Sequence, residues 1–468
     1  MFRTVTLPLW LLALILAFAA VAFFSHFLFP SVRWFFRGRM ERLVGRLNSR
    51  LDRPIQPFKL MERPDMIVRL TYDPKVYETV HEEAQATGQP ETVVLERARR
   101  YAAEIVPSFS ARFYFTWGIR LARWFSRLIY RVELDESKLA PIDPAATVVF
   151  VMNHRSNMDY VLVTYLAAQR SALSYAVGEW ARVWPLSGLI RSMGAYFIRR
   201  RSDRPLYRRV LSRYVQMATA EGVTQAIFPE GGLSLDGRTG TPKLGLLSYI
   251  VQTPRDGARD VVFVPVSLGY DRVVEDRVLV AARAEGTRRF RAPVLQIAAF
   301  VLRHLWRAVL GRFRGFGDAV VRFGTPLSLT EFERRQDGDV TRALAGRLMA
   351  EITANIPVLS VPLVSAAWGA GATTDRAGLV ARASDLADRL AAAGGALFLP
   401  DGGVAAAVDR TLSIFTMRHM IDRQDESVTL REAARPLVEF YAATAWQILD
   451  AGAEKTTHSH GDDGVETI

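Results

Sequence analysis

From Thr4 to Val32 the chain carries no formally charged residue, and the apolar core of that run extends from Leu7 to Pro30. At about 1.5 Å of rise per residue the run exceeds the roughly 20 residues that cross a hydrocarbon layer, so it predicts one transmembrane helix. It is also longer than the roughly 7–15 residues of a secretion signal's apolar stretch. Arg33, Arg37, Arg39, Arg42, Arg46 and Arg50 follow it, against Arg3 alone on the other side. This bias predicts a single-pass inner-membrane protein with its bulk in the cytoplasm.

A second pattern lies at Phe109 to Arg131, where Phe113, Phe115, Trp117, Trp124, Phe125 and Tyr130 interleave with Arg112, Arg120, Arg123, Arg127 and Arg131. The last four arginines step by three or four, which puts them on one helical face with most of the aromatics elsewhere, and predicts an interfacial helix on anionic lipid. Val294 to Arg314 shows a weaker version of the same pattern. Asp65 to Pro107 reads as a small helical region, with Pro74 opening one helix and Gly88-Gln89-Pro90 separating it from the next.

From about Arg131 short β-branched runs alternate with amphipathic helices: Thr147 to Met152, Ala195 to Ile198, Thr224 to Phe228, Val261 to Val264 and Val320 to Phe323. This alternation predicts an α/β layer, a mixed but mainly parallel sheet flanked by helices, with ligands beyond the strand C-termini. Beyond Ser328 the periodicity is helical, broken at Gly394-Gly395 and Gly402-Gly403, and the residues from Ala451 read as a polar, disordered tail. The resulting division is 1–32 anchor, 33–130 basic linker with small and interfacial helices, 131–330 α/β domain, 331–450 helical region and 451–468 tail.

Composition narrows the chemistry. The 468 residues include 60 Lys+Arg against 48 Asp+Glu, a formal charge of +12, and no cysteine. Absence of cysteine excludes a disulfide framework, thiolate metal sites and a Cys nucleophile. Nearly all the basic residues are arginine, the side chain that best forks onto phosphate. No stretch resembles a nucleic-acid module, so no nucleic-acid partner is expected.

Candidate chemistry sits at strand ends. His154-Arg-Ser-Asn-Met-Asp159-Tyr160 leaves a buried strand and enters a helix, with Ser156 or Asn157 as N-cap. That turn swings Asp159 beneath His154, so the carboxylate can hold one imidazole nitrogen and leave the other as a base toward an alcohol. Amides at the helix start are candidates for receiving an oxyanion or a phosphate. The same interval recurs at His458 and Asp463 in the tail, so spacing alone says little; the strand end distinguishes His154. Gly194-Ala-Tyr-Phe-Ile-Arg199-Arg200 delivers two arginines suited to phosphate. Phe228-Pro229-Glu230-Gly231-Gly232 ends a strand in paired glycines, followed by Arg238 and Lys243 within reach of an anion. Val261-Val-Phe-Val-Pro265 is a buried strand whose proline removes one ladder donor.

In this order the elements resemble the four motif blocks of the glycerolipid acyltransferase superfamily, and more closely the bacterial glycerol-3-phosphate 1-acyltransferases and their dihydroxyacetone-phosphate acyltransferase relatives. The residues that carry the resemblance are His154 to Tyr160, Gly194 to Arg200, Glu230-Gly231-Gly232 with Thr241-Pro-Lys243, and Pro265 with Gly269-Tyr270. The resemblance implies acyl transfer from acyl-CoA or acyl carrier protein to the first hydroxyl of glycerol 3-phosphate, yielding lysophosphatidate for phospholipid synthesis. It implies His154 as base, Asp159 as its orienter, Arg199 and the Glu230 block as acceptor contacts, and Pro265 beside the centre. Where the third block of these families usually carries an arginine, this chain has Leu233. Lysophosphatidate, dihydroxyacetone phosphate and non-phosphorylated alcohols therefore stand as alternative acceptors, and a non-catalytic lipid-binding scaffold as the alternative outside enzymology.

The residues by themselves lead to a compatible mechanism. With no Cys and no Gly-x-Ser-x-Gly turn, direct transfer in a ternary complex is expected rather than an acyl-enzyme. No cluster of metal ligands accompanies His154 in the sequence, so neither metal nor cofactor is expected beyond the acyl donor as co-substrate.

Overall fold

The computed structural model describes residues 8–18, 45, 48–49, 51, 53–167, 171–178, 186–199, 204–255, 259–286, 315–369 and 371–459. Most of the Thr4 to Val32 run, all six arginines that follow it, Arg200, and all of Val294 to Arg314 lie outside these residues. Within them residues 9–18 are helical, and no described helix is long and apolar enough to cross a membrane. The chain divides into two units, Met1–Ile55 and Gln56–Ile468. The second unit contains the sheet and the candidate chemistry.

Its centre is an eight-stranded sheet of β1 (Arg131–Asp135), β2 (Thr147–Met152), β3 (Ser174–Val177), β4 (Ala195–Phe197), β5 (Gln225–Ile227), β6 (Val261–Tyr270), β7 (Asp318–Phe323) and β8 (Leu327–Ser328), in the order β1-β7-β6-β2-β5-β3-β4 with β8 on β6. The stretch β6-β2-β5-β3-β4 is parallel throughout, and β7 and β8 run antiparallel to β6. A parallel ladder of this kind is buried on both faces, and β2 and β6 are buried along their full length.

Alternation along β2 assigns its side chains to two separate cores. Val148, Phe150 and Met152 join one, Val149 and Val151 the other. The second core is closed by α1 (Pro74–Thr87) and α2 (Glu91–Ile105), through Val76, Val80, Val94 and Ile105. Asp73 caps α1 by accepting from the N–H groups of Lys75 and Val76, and Gly88 closes it in the left-handed region at φ 65°. The first core is closed by helices of the C-terminal region, among them α8 (Ser360–Trp368), α9 (Gly403–Met417) and α10 (Arg435–Ser459). The helical flanks thus cover opposite faces of one sheet.

Two buried ion clusters fasten the C-terminal region to the sheet. Arg410 of α9 bonds Asp318 of β7 at 2.6 Å and Asp271, just past β6, at 3.1 Å. Arg418 and Tyr441 both reach Asp276, each at 2.6 Å. Short strands also appear where the sequence reads only as helical: β9 (Pro357–Val358) beside β11 (Ala396–Leu397), and a sheet of β10 (Thr373–Asp375), β13 (Ser427–Leu430) and β12 (Ile421–Gln424). They span two to four residues, too short to show a period of their own. Helix α10 continues to Ser459, past the expected start of the tail at Ala451, with Gly452 seated against Ala393.

The Phe109 to Arg131 segment is helical from Ala111 to Ile129 but not uniform, and Arg131, which its spacing puts on the helical face, opens β1 instead. A π-turn at Tyr114–Gly118 leads into α3 (Ile119–Ile129), which buries Ala122, Ser126 and Ile129. Trp117, Leu121 and Trp124 remain exposed, by 66%, 49% and 51%, beside exposed Arg120 and Arg127. Aromatics and arginines therefore share the outer side, whereas the sequence pattern separates them.

Candidate active site

Strand β2 stops at Met152 and the chain turns through Asn153, whose side-chain amide exchanges two hydrogen bonds with the backbone of Leu268 on β6 (2.9 and 2.8 Å). This fixes the exit of β2 to its neighbour and sets His154 at the strand's C-terminal end. Helix α4 (Met158–Ala167) begins four residues later, and the Ser156 hydroxyl accepts from the N–H of Met158. Asp159, in the first turn of α4, folds back beneath the imidazole.

Asp159 Oδ2 lies 2.8 Å from Nδ1 of His154 and also accepts the N–H groups of Arg155 (2.7 Å) and Ser156 (3.0 Å). The Tyr270 hydroxyl donates to Oδ1. Both members of the pair are buried, at 2% and 0% exposure. A carboxylate this deep is tolerable because it has four donors around it. His154 Nε2 makes no hydrogen bond among the described residues, and the ring lines a cavity of about 580 Å³, packed against Phe228 at 4.3 Å between centroids and edge-on to Tyr160 at 5.2 Å.

Two further acids hold the turn. Glu230 accepts the backbone N–H of His154 and of Gly240, each at 2.9 Å, and Glu275 accepts the Ser156 hydroxyl (2.7 Å) and the Asn157 N–H (3.1 Å). Burial pushes both carboxyls above the ordinary value, with these donors opposing the shift. Burial and the adjacent Asp159 raise the Tyr270 hydroxyl well above its usual range, so it stays a donor. The N–H groups from His154 to Met158 are consequently all spent on Glu230, Asp159, Glu275 and Ser156. No oxyanion or phosphate can be received there, contrary to what the helix start suggests in the sequence.

The cavity opens beyond the C-terminal ends of β2, β3, β4 and β5, between α5 (Pro205–Ala220) and α6 (Leu244–Val251). It brings together His154, Arg199, Gly231 and Lys243 from the sequence-derived set, with Arg208 of α5 as a further cation. Arg199 is already bound in a fork to Glu104 (2.8 and 2.6 Å) and flanked by the rings of Tyr101 and Tyr207 at 5.3 Å, and the pairing raises its pKa. Gly231 has φ 64°, and a Cβ on it would sit 2.8 Å from Cδ of Lys243. The paired glycine therefore makes room for the lysine. Ile198, Leu211, Leu246 and Leu247 supply an apolar wall.

Four sequence-derived candidates stand elsewhere. Glu230 supports the backbone of His154 and does not line the cavity. Arg238 points away, ion-paired at 2.9 Å with Asp450 of α10. Pro265 is buried in β6 opposite Val151, where β6 changes partner from β8 to β7, and its carbonyl accepts the Gly324 N–H at 2.8 Å. Its missing N–H suits that junction. Gly232 follows Gly231 without lining the cavity. Glu275 and Arg208 escaped the sequence reading because neither sits in a recognisable spacing from His154; only folding brings them near.

Residues 132–269 match the family described as Acyltransferase, and residues 302–441 match the Glycerol-3-phosphate acyltransferase C-terminal region. The chain is 31% identical over 281 residues to a glycerol-3-phosphate acyltransferase of Aeromonas hydrophila, covering 58% of this chain and 34% of that one. A protein of the same name from Ectopseudomonas mendocina is 28% identical over 414 residues, covering 81% of this chain and 48% of that one. The chain thus spans between a third and a half of the length of these relatives. The crystal structure of a 1-acyl-sn-glycerophosphate (LPA) acyltransferase, PlsC, from Thermotoga maritima is 18% identical and covers 61% of this chain and 94% of that one, at a TM-score of 0.33.

Proposed function

We propose that this chain, an acyltransferase domain joined to a glycerol-3-phosphate acyltransferase C-terminal region, moves a fatty acyl group from acyl-CoA or acyl carrier protein to the sn-1 hydroxyl of glycerol 3-phosphate, releasing lysophosphatidate. The observation that carries the reading is a buried imidazole, oriented by Asp159, whose other nitrogen has no partner among the described residues and whose ring lines a cavity shared with Lys243, Arg199 and Arg208.

In this mechanism the acceptor hydroxyl gives its proton to Nε2 of His154 while its oxygen attacks the thioester carbonyl carbon. The tetrahedral oxyanion collapses, the C–S bond breaks, and the imidazolium returns the proton to the departing thiolate. Asp159 holds the tautomer and stabilises the transient imidazolium. With the helix-start amides occupied, Lys243 is the cation for the acceptor phosphate or the developing charge. No metal or cofactor takes part in these steps.

Membrane association completes the proposal. The uncharged run from Thr4 to Val32, the arginines after it, and the exposed Trp117, Leu121 and Trp124 beside Arg120 and Arg127 support an inner-membrane protein whose catalytic region rests on anionic lipid from the cytoplasmic side.

The test is thiol release from acyl-CoA in the presence of glycerol 3-phosphate, wild type against His154→Ala. A rate lost in the variant is expected; equal rates would remove the base. Glycerol in the same assay separates phosphate-dependent acceptance from use of a plain alcohol.

A further inference from the structure

A second cavity, of about 760 Å³, lies between α7 (Asp276–Ala284) and the C-terminal region, and shares no lining residue with the cavity at His154. That volume is in the range of roughly 300–1,000 Å³ that takes a small ligand. Its wall carries Arg277, Arg283, Arg418, His419 and Arg431, against Glu439 as the carboxylate. Arg418 is fixed by Asp276 and Arg431 pairs with Asp422, so both guanidinium groups are held in place. Arg277 reaches the carbonyl of Arg418 at 3.2 Å, and Arg283 has no carboxylate partner among the described residues. The rest of the lining is apolar, with Leu235, Val280, Met420, Leu437 and Phe440.

A cationic wall with unspent guanidinium donors calls for a phosphate, and an apolar wall of comparable extent calls for hydrocarbon. We infer that this cavity is a binding site, separate from the centre at His154, for a phosphate-bearing amphiphile with an alkyl chain. The phosphate meets Arg277 and Arg283, and the chain lies along Leu235, Val280 and Phe440. Leu235 bears on this directly. It lies two residues after Leu233, in the loop whose Ser234 N–H bonds the carbonyl of His154 at 2.9 Å, and an apolar side chain there builds the floor of the second cavity.

This site is independent of the acyl-transfer reading, because its test measures occupancy. The chain has no cysteine, so Ala284→Cys, on an exposed helical position lining the cavity, introduces one reporter thiol. The full chain carrying this change, purified in a neutral detergent, is treated with N-ethylmaleimide with and without monododecyl phosphate. Near saturation the amphiphile is expected to slow the reaction by about tenfold. Adding Arg283→Glu is expected to abolish the protection, with an unchanged thermal melt. Inorganic phosphate or dodecyl maltoside at the same concentration is expected to leave the rate as it was. Absence of protection by monododecyl phosphate would overturn the site. Equal protection by inorganic phosphate would reduce it to a free-anion site, and equal protection by dodecyl maltoside to an apolar patch; either overturns the assignment.

Discussion

Asp159 touches His154 through the same oxygen that accepts the N–H groups of Arg155 and Ser156, so the carboxylate that orients the imidazole also shapes the turn presenting it. Base geometry and backbone geometry are one constraint. Asp159→Asn places an amide where three donors converge, and can no longer stabilise an imidazolium. We expect turnover to fall by roughly 10²–10⁴-fold, with a smaller change in KM, in steady-state thiol release.

Tyr270→Phe removes the donor to Oδ1 of Asp159 while keeping the ring packed on Tyr130 at 5.2 Å. One buried carboxylate oxygen then loses its partner. Stability is expected to drop by about 1–3 kcal/mol. Turnover should fall with KM for glycerol 3-phosphate nearly unchanged, since Tyr270 does not line the cavity. A raised KM at constant turnover would contradict this positioning role.

Glu275 carries a pH signature. Burial raises its folded-state pKa, so the folded chain holds this proton to a higher pH than the unfolded chain does. Its favourable contribution is fully present below the unfolded value of about 4.3 and is lost as pH rises through the raised folded value. Glu275→Gln removes that titration. Thermal melts from acid to neutral pH should therefore show the variant gaining on the wild type across this window, and a constant offset above it.

Gly231→Ala meets both a left-handed backbone and the Lys243 side chain at 2.8 Å. Lys243 has to move. We expect about a tenfold rise in KM for glycerol 3-phosphate, matched by Lys243→Ala, with little effect when glycerol is the acceptor. Parallel kinetics with the two acceptors check it.

Trp117→Ala combined with Trp124→Ala removes two exposed aromatics from one side of the helical segment, at 66% and 51% exposure. Weaker flotation with vesicles containing anionic lipid is expected, with the fold retained because neither ring is in the core. Arg120→Glu should weaken flotation further at low salt, as an electrostatic contribution requires.

Periodicity determined a good deal here without coordinates. The parallel α/β layer was legible because a doubly buried strand such as the one through Val148 to Met152 is apolar throughout, and Pro74, Gly88 and Pro90 mark helix ends by local backbone chemistry alone. The pairing of His154 with Asp159 was legible for the same reason: strand exit, turn and first helical turn are consecutive, so five residues of local geometry decide the contact. Contacts between distant segments were not. Glu275 meets Ser156 across 119 residues, and Arg238 turns to Asp450 across 212, because sheet order and helix packing choose those neighbours and no local spacing encodes them. The occupation of the helix-start amides, the retreat of Glu230 and Pro265 into supporting roles, and the arginine-lined cavity under the C-terminal region all belong to that second class. Each is settled by which buried polar groups find one another once the two cores have closed on the sheet.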